Sequence, residues 1–157
     1  MHPERIVFLD VDGVLNHREA FKRWWPTWGT DTLDPECLRA LAWLCRDGAA
    51  IVLTSTWRLY PDADRTIRIV LHALGLDVID ETPDLSINDP HSPRGAEISA
   101  WLAEHPTSSY VVLDDSADAG EGHAGRFVRT EEGGGGLTWE KAREARAILF
   151  GESAVSA

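Results

Sequence analysis

A chain of 157 residues, 43% hydrophobic and 26% charged, suits one domain with a real core and an ordinary soluble composition. A total of 15 Lys and Arg against 26 Asp and Glu leaves a net charge of −11, which argues against passive adhesion to nucleic acid but leaves room for a small basic site on an acidic body. No apolar run approaches the ~18 residues of a membrane span. The 6 histidines form no His-x-His or His-Glu-x-x-His pattern, so a zinc site is not expected. Met1 to Arg5 lead straight into the first apolar run, which reads as no signal peptide. Cys37 and Cys45 read as small core residues in a reducing, cytoplasmic setting.

Ile6 to Leu9 is a buried strand that ends in Asp10-Val11-Asp12-Gly13. Two carboxylates delivered to one small space repel each other, and a cation is the usual remedy; Mg²⁺ suits an all-oxygen site of this kind. Asn16 to Thr32 follows, with Trp24, Trp25 and Trp28 close together beside Lys22 and Arg23. These tryptophans either form an aromatic lid over a substrate, with the two cations meeting an anion, or anchor the segment to the body. Asp34 and Pro35 fit the N-cap and first position of a helix whose buried face is Leu38, Leu41, Ala42 and Cys45, ended by Gly48.

Ala49 to Leu53 is a second buried strand, running into Thr54-Ser55-Thr56-Trp57-Arg58. Pro61 opens a helix with Ile67, Val70, Leu71 and Leu74 inward and Gly75 as its stop. Asp77 to Asp80 reads as a short strand, and Glu81 to Pro93 as a loop. Gly95 to His105 is a helix buried through Ile98, Trp101 and Leu102. Tyr110 to Leu113 is a strand ending in Asp114-Asp115, and Arg126 to Arg129 alternates like a last strand. After a glycine-rich turn, Thr138 caps a final helix using Ala142, Ala145, Ile148 and Leu149, and residues 151–157 read as a frayed tail.

Strands alternating with helices predict a single α/β domain over residues 1–150, a parallel sheet in a three-layer α/β/α Rossmann-like arrangement. In such folds the site lies beyond the carboxyl ends of the strands. Asp10, Ser55 and Asp114-Asp115 all stand at or just after such ends, so three strands deliver polar residues to one crevice.

Asp10-Val11-Asp12-Gly13-Val14-Leu15 resembles the first motif of the haloacid dehalogenase (HAD) superfamily of phosphotransferases. The resemblance covers about residues 5–150. It implies that Asp10 is the nucleophile, forming an aspartyl phosphate. It implies that Asp12 is the general acid and base, its backbone carbonyl alone reaching Mg²⁺. Thr54-Ser55 matches the hydroxyl motif, with Ser55 preferred, though such residues also cap turns. Arg94 stands at a helix start where the family carries a lysine, and either supplies that charge or caps a loop. Asp114 and Asp115 match the acidic pair that holds Mg²⁺, Asp115 as the direct ligand and Asp118 joining through water.

Trp57-Arg58 after the hydroxyl motif resembles a small capless subgroup, some of whose members are associated with RNA-repair proteins. Too few residues separate the motifs for a substantial cap, and residues 16–32 correspond to the flap that the family places beside its site. Lys22, Arg23 and Trp25 are candidate substrate contacts. Arg58 either reaches the substrate or forms a structural ion pair. His123, Arg126 and Arg129 rim the site in one reading, although a lone histidine is more often structural. The resemblance implies a Mg²⁺-dependent phosphomonoesterase acting on a nucleotide or polynucleotide end or on a small phosphorylated metabolite; the alternative is a non-catalytic phosphate-binding or interaction module on the same fold. Oligomeric state is not legible in the chain.

Overall fold

The fold is a computed structural model describing residues 5–20 and 33–151. Five strands, β1 (Arg5–Leu9), β2 (Ala50–Leu53), β3 (Val78–Glu81), β4 (Ser109–Asp114) and β5 (Phe127–Arg129), form one sheet in the order β3-β2-β1-β4-β5. All four pairings are parallel. β1 and β2 are almost wholly buried, as apolar strands sandwiched between helices should be. β3 is a half-buried edge strand, displaced by one residue from its predicted span.

The helices are α1 (Pro35–Cys45), α2 (Pro61–Ala73), α3 (Arg94–Glu104) and α4 (Trp139–Phe150). From β1 the chain steps outward through β2 to β3, then crosses back to β4 and β5. Right-handed crossovers therefore place α1 and α2 on one face and α3 on the other. The pleat divides the core accordingly. Val7, Leu9, Ile51, Leu53, Val111 and Leu113 face the layer built from α1, α2 and α4. Ile6, Phe8, Ala50, Val52 and Val112 face Ile98 and Trp101 of α3. Phe8 meets Trp101 and Tyr110 edge-on, at centroid distances of 5.4 and 5.7 Å.

The helix starts follow the sequence signals. Asp34 accepts the Glu36 amide ahead of Pro35, and Thr138 accepts the Lys141 amide. The inward faces are narrower than periodicity suggests. In α1 the buried stripe is Cys37, Ala40, Leu41, Leu44 and Cys45, with Leu38 and Ala42 only partly covered. In α2 only Ile67 and Leu71 are buried; Val70 is half-buried, and Leu74, just past the helix end, is exposed. Both cysteines are free and buried, and burial pushes each thiol up to about 12, so neither is a nucleophile at neutral pH.

The segment between β1 and α1 leaves and rejoins the body at one place. The Asp34 amide donates to the Leu15 carbonyl at 2.7 Å, and His17 Nε2 lies 2.5 Å from Asp34 Oδ2 with both side chains buried. Lys22, Arg23, Trp24, Trp25 and Trp28 lie outside the described residues. No helix among the described residues is long and apolar enough to cross a membrane.

Candidate active site

The strand order reverses between β1 and β4, and the loops leaving their carboxyl ends part there, opening a crevice. Asp10 stands at the end of β1, its amide still donating to the Leu113 carbonyl at 3.0 Å. Asp114 closes β4 and is fully buried; Asp115 is the next residue. Carboxylate oxygens of Asp10, Asp114 and Asp115 all lie within 4.8 Å of one another. Two strand ends thus force three acidic groups together, as the two acidic motifs predict.

Arg94 partly neutralises them. Its Nη1 is 2.8 Å from Asp114 Oδ2 and 3.2 Å from Asp10 Oδ1. Arg94 opens α3, and the helix is held in place by the turn after β4. Asp118 Oδ2 accepts the Arg94 amide at 3.0 Å, and a Cβ on Gly95 would come 2.3 Å from the Glu121 carbonyl. Only glycine lets the helix start approach that backbone so closely. Burial alone would lower the Arg94 pKa, but Asp10 and Asp114 hold it above its ordinary value. One cation does not offset three carboxyls. Burial, then the charge of Asp114, raises the Asp10 carboxyl well above the usual carboxylate range despite Arg94. Burial and Asp114 raise Asp115 as well. Asp118 goes the other way: burial opposes it, but hydrogen bonds from Ser116 and the Arg94 amide, with the Arg94 charge, hold it low.

The donor set suits a hard divalent cation, being made of carboxylate oxygens alone. Gly13 makes the necessary space. It has φ +79, and a Cβ there would come 2.3 Å from Asp115 Oδ2. Its carbonyl is fixed by Thr130 Oγ1 at 2.7 Å and its amide by Asn16 Oδ1 at 2.9 Å. The loop after β1 is therefore a rigid cradle for the Asp115 carboxylate.

Asp12 stands apart from this trio. Its side chain is exposed and held from two sides: Asn16 Nδ2 donates to Oδ1 at 2.9 Å, and Trp57 Nε1 donates to Oδ2 at 3.1 Å. Sequence reasoning had no signal for the Trp57 contact, which spans 45 positions and depends on the turn after β2.

The hydroxyl pair is resolved by register. Leu9 pairs with Leu53, so Thr54 is opposite Asp10, and its amide donates to the Leu9 carbonyl at 3.0 Å. Paired positions share a face of the sheet. Thr54 Oγ1 is buried and has no hydrogen-bond partner among the described residues, whereas Ser55 Oγ accepts the Trp57 amide at 3.1 Å and caps the turn over Thr56–Leu59. Thr54 is thus the member of the pair that lies opposite Asp10, while Ser55 caps the following turn.

Arg58 is occupied by the protein itself. Nε donates to the Thr82 carbonyl, Nη1 to the Thr54 and Ser55 carbonyls, and Nη2 to the Pro83 carbonyl and Glu97. All five N–H donors of a guanidinium are thereby used. Of the two readings of Arg58, the ion pair is the one formed, and substrate contact is not supported. A cleft of about 140 Å³ opens between it and Arg94, with Thr56, Ser86, Ser92 and Asp118 on its walls. His123 is also internal: buried, it contacts Tyr110, Ser99 and the Gly95 carbonyl, behind α3. Arg126 contacts Ser109 and the Ile148 carbonyl, away from the crevice, while Arg129 lies at its rim.

Residues 6–142 match the family described as HAD domain in Swiss Army Knife RNA repair proteins. That is most of the 157-residue chain, and the chain belongs to this family. No curated protein and no solved structure is significantly similar to it.

Proposed function

We propose that this HAD-family domain is a metal-dependent phosphomonoesterase in which Asp10 is the nucleophile. The observation that carries the reading is the division of labour at the end of β1. Asp10 is buried against Arg94 and two further carboxyls, while Asp12, two residues on, is held outside them by Asn16 and Trp57. A module that only binds phosphate has no use for a second, separately oriented carboxyl.

In this reading an Asp10 oxygen attacks phosphorus as the bond to the leaving oxygen breaks, and Asp12 gives that oxygen its proton. Asp12, now a carboxylate, then takes a proton from water; the water oxygen attacks phosphorus, and the bond to Asp10 breaks to release phosphate. Arg94, whose Nη1 lies on Asp10 and Asp114, places its positive charge beside the nucleophile and stabilises charge on the transferring group, in the place of the family's lysine. Thr54 supplies a hydroxyl to a phosphoryl oxygen. HAD proteins generally use Mg²⁺, and Asp10, Asp114 and Asp115, with the Asp12 carbonyl, are the groups that would hold it. When bound, it would neutralise charge on the carboxylates and the phosphoryl oxygens. The substrate is a phosphorylated molecule; the family description supports an RNA end. The localisation we infer is cytoplasmic.

Hydrolysis of p-nitrophenyl phosphate by wild type, Asp10→Asn and Asp12→Asn, with and without Mg²⁺, tests the mechanism. Both substitutions and EDTA should abolish turnover. Activity surviving Asp10→Asn would remove the covalent step.

A further inference from the structure

We propose that Arg129 anchors a second phosphate group of the substrate, a role that rests on the phosphatase reading above. The residues that meet at the carboxyl edge form one register row. Leu9 pairs with both Leu53 and Leu113, so Thr54, Asp10 and Asp114 stand side by side on β2, β1 and β4. Asp114 pairs in turn with Arg129 of β5. Two residues earlier, Val112 and Phe127 are also partners and both pack on the α3 side. By the pleat, Asp114 and Arg129 project to that side too. Arg129 is the fourth and outermost member of the row.

Its side chain is placed but not consumed. Nε donates to the Asp115 carbonyl at 3.0 Å, which fixes the guanidinium at the carboxyl end of β4. The contact is to a carbonyl and not to a carboxylate, so it does not neutralise the charge. Among the described residues, the terminal nitrogens have no hydrogen bond or ion pair, and the residue is exposed. Arg58 differs in this respect, since it spends all five of its N–H donors on the protein. A planar fork with one edge fixed and the other open matches a phosphate in bidentate fashion. A solvated, unpaired arginine on a chain of net charge −11 is a local exception in sign.

Position decides which phosphate. Arg94 already serves the centre of the row, between Asp10 and Asp114. Arg129 lies one strand further out, so the group it takes is a neighbour of the reacting phosphoryl group. Two kinds of substrate carry such a neighbour: a polynucleotide end, through its adjacent phosphodiester, and a small bisphosphorylated molecule.

The test is kcat/KM for p-nitrophenyl phosphate, a nucleoside 3′,5′-bisphosphate and a terminally phosphorylated oligonucleotide, measured for wild type, Arg129→Ala and Arg129→Lys. In Arg129→Ala the preference for a two-phosphate substrate over p-nitrophenyl phosphate should fall by about tenfold, through KM, as expected for one lost charge-assisted contact. Arg129→Lys should restore part of it, and added salt should reproduce the loss. A drop for the bisphosphate identifies the small molecule as a source, and a drop confined to the oligonucleotide identifies the polynucleotide end. A preference ratio unchanged in Arg129→Ala would overturn the proposal while leaving the phosphatase reading intact. Absence of hydrolysis of every substrate by wild type would overturn both.

Discussion

The indole nitrogen of Trp57 donates to Asp12 Oδ2 at 3.1 Å, joining the turn after β2 to the loop after β1. Trp57 is itself buried in the core, so the donor is held as rigidly as the sheet. Replacing it with phenylalanine keeps an aromatic ring in the core and removes the N–H, together with part of the ring system. One hydrogen bond of this kind contributes about 0.5–1.5 kcal/mol, so Trp57→Phe should lower kcat roughly 2- to 12-fold. The pH–rate profile should change with little change in KM. A pure stability loss with an unaltered profile would make the contact structural.

Thr54 carries a buried hydroxyl without a partner among the described residues. Such a group costs ~1–3 kcal/mol relative to a satisfied one. Thr54→Val should therefore raise the melting temperature of the metal-free protein while reducing phosphatase activity. Ser55→Ala should lower the melting temperature and largely keep activity, because it removes the cap on the Trp57 amide and leaves the row intact. Thermal melts and turnover of the two variants separate the roles.

Gly13 combines a positive φ with contact to Asp115. Gly13→Ala should cost ~1–2 kcal/mol from the left-handed backbone alone. The added methyl also displaces the Asp115 carboxylate, so Mg²⁺ affinity should fall by more than stability does. Calorimetric Mg²⁺ titration of the variant, with a melt run in parallel, checks both.

Asp10 and Asp115 have raised carboxyl pKa values in the metal-free protein, from burial first and Asp114 next. The folded chain thus keeps protons that the unfolded chain has lost. The stability they contribute is full below the ordinary carboxyl range and is lost as pH rises through the raised values. Mg²⁺ needs the ionised forms, so its binding releases protons and tightens with rising pH. The Mg²⁺-induced rise in melting temperature should be larger at pH 7.5 than at pH 5, and heats measured in buffers of different ionisation enthalpy should report proton release. A shift independent of pH would mean that the carboxyls are already ionised.

The parts of this molecule written in local pattern were readable from the chain. Ile6 to Leu9 is unbroken apolar sequence ending in Asp10, and Ser109 to Asp114 ends the same way, so two strand ends and their carboxyls follow from burial and alternation. Asp34-Pro35 and Thr138 mark helix starts because caps are short-range. Choosing between Thr54 and Ser55 required the pairing of β1 with β2, since a shift of one residue sends a side chain to the other face. The engagement of Arg58 by the carbonyls of Thr82 and Pro83, and the Asp118 cap on Arg94, join segments far apart in sequence, and no period or motif encodes them.

The bond from the Asp34 amide to the Leu15 carbonyl, with the His17–Asp34 contact beside it, ties the start of α1 to the loop after β1. The described chain ends on either side of positions 21–32 are thereby pinned to each other. Adding or removing residues there costs only a slowly growing loop-closure entropy. This pair of pinned ends is accordingly a natural place to graft a recognition loop, since strand pairing alone keeps Thr54, Asp10 and Asp114 in register.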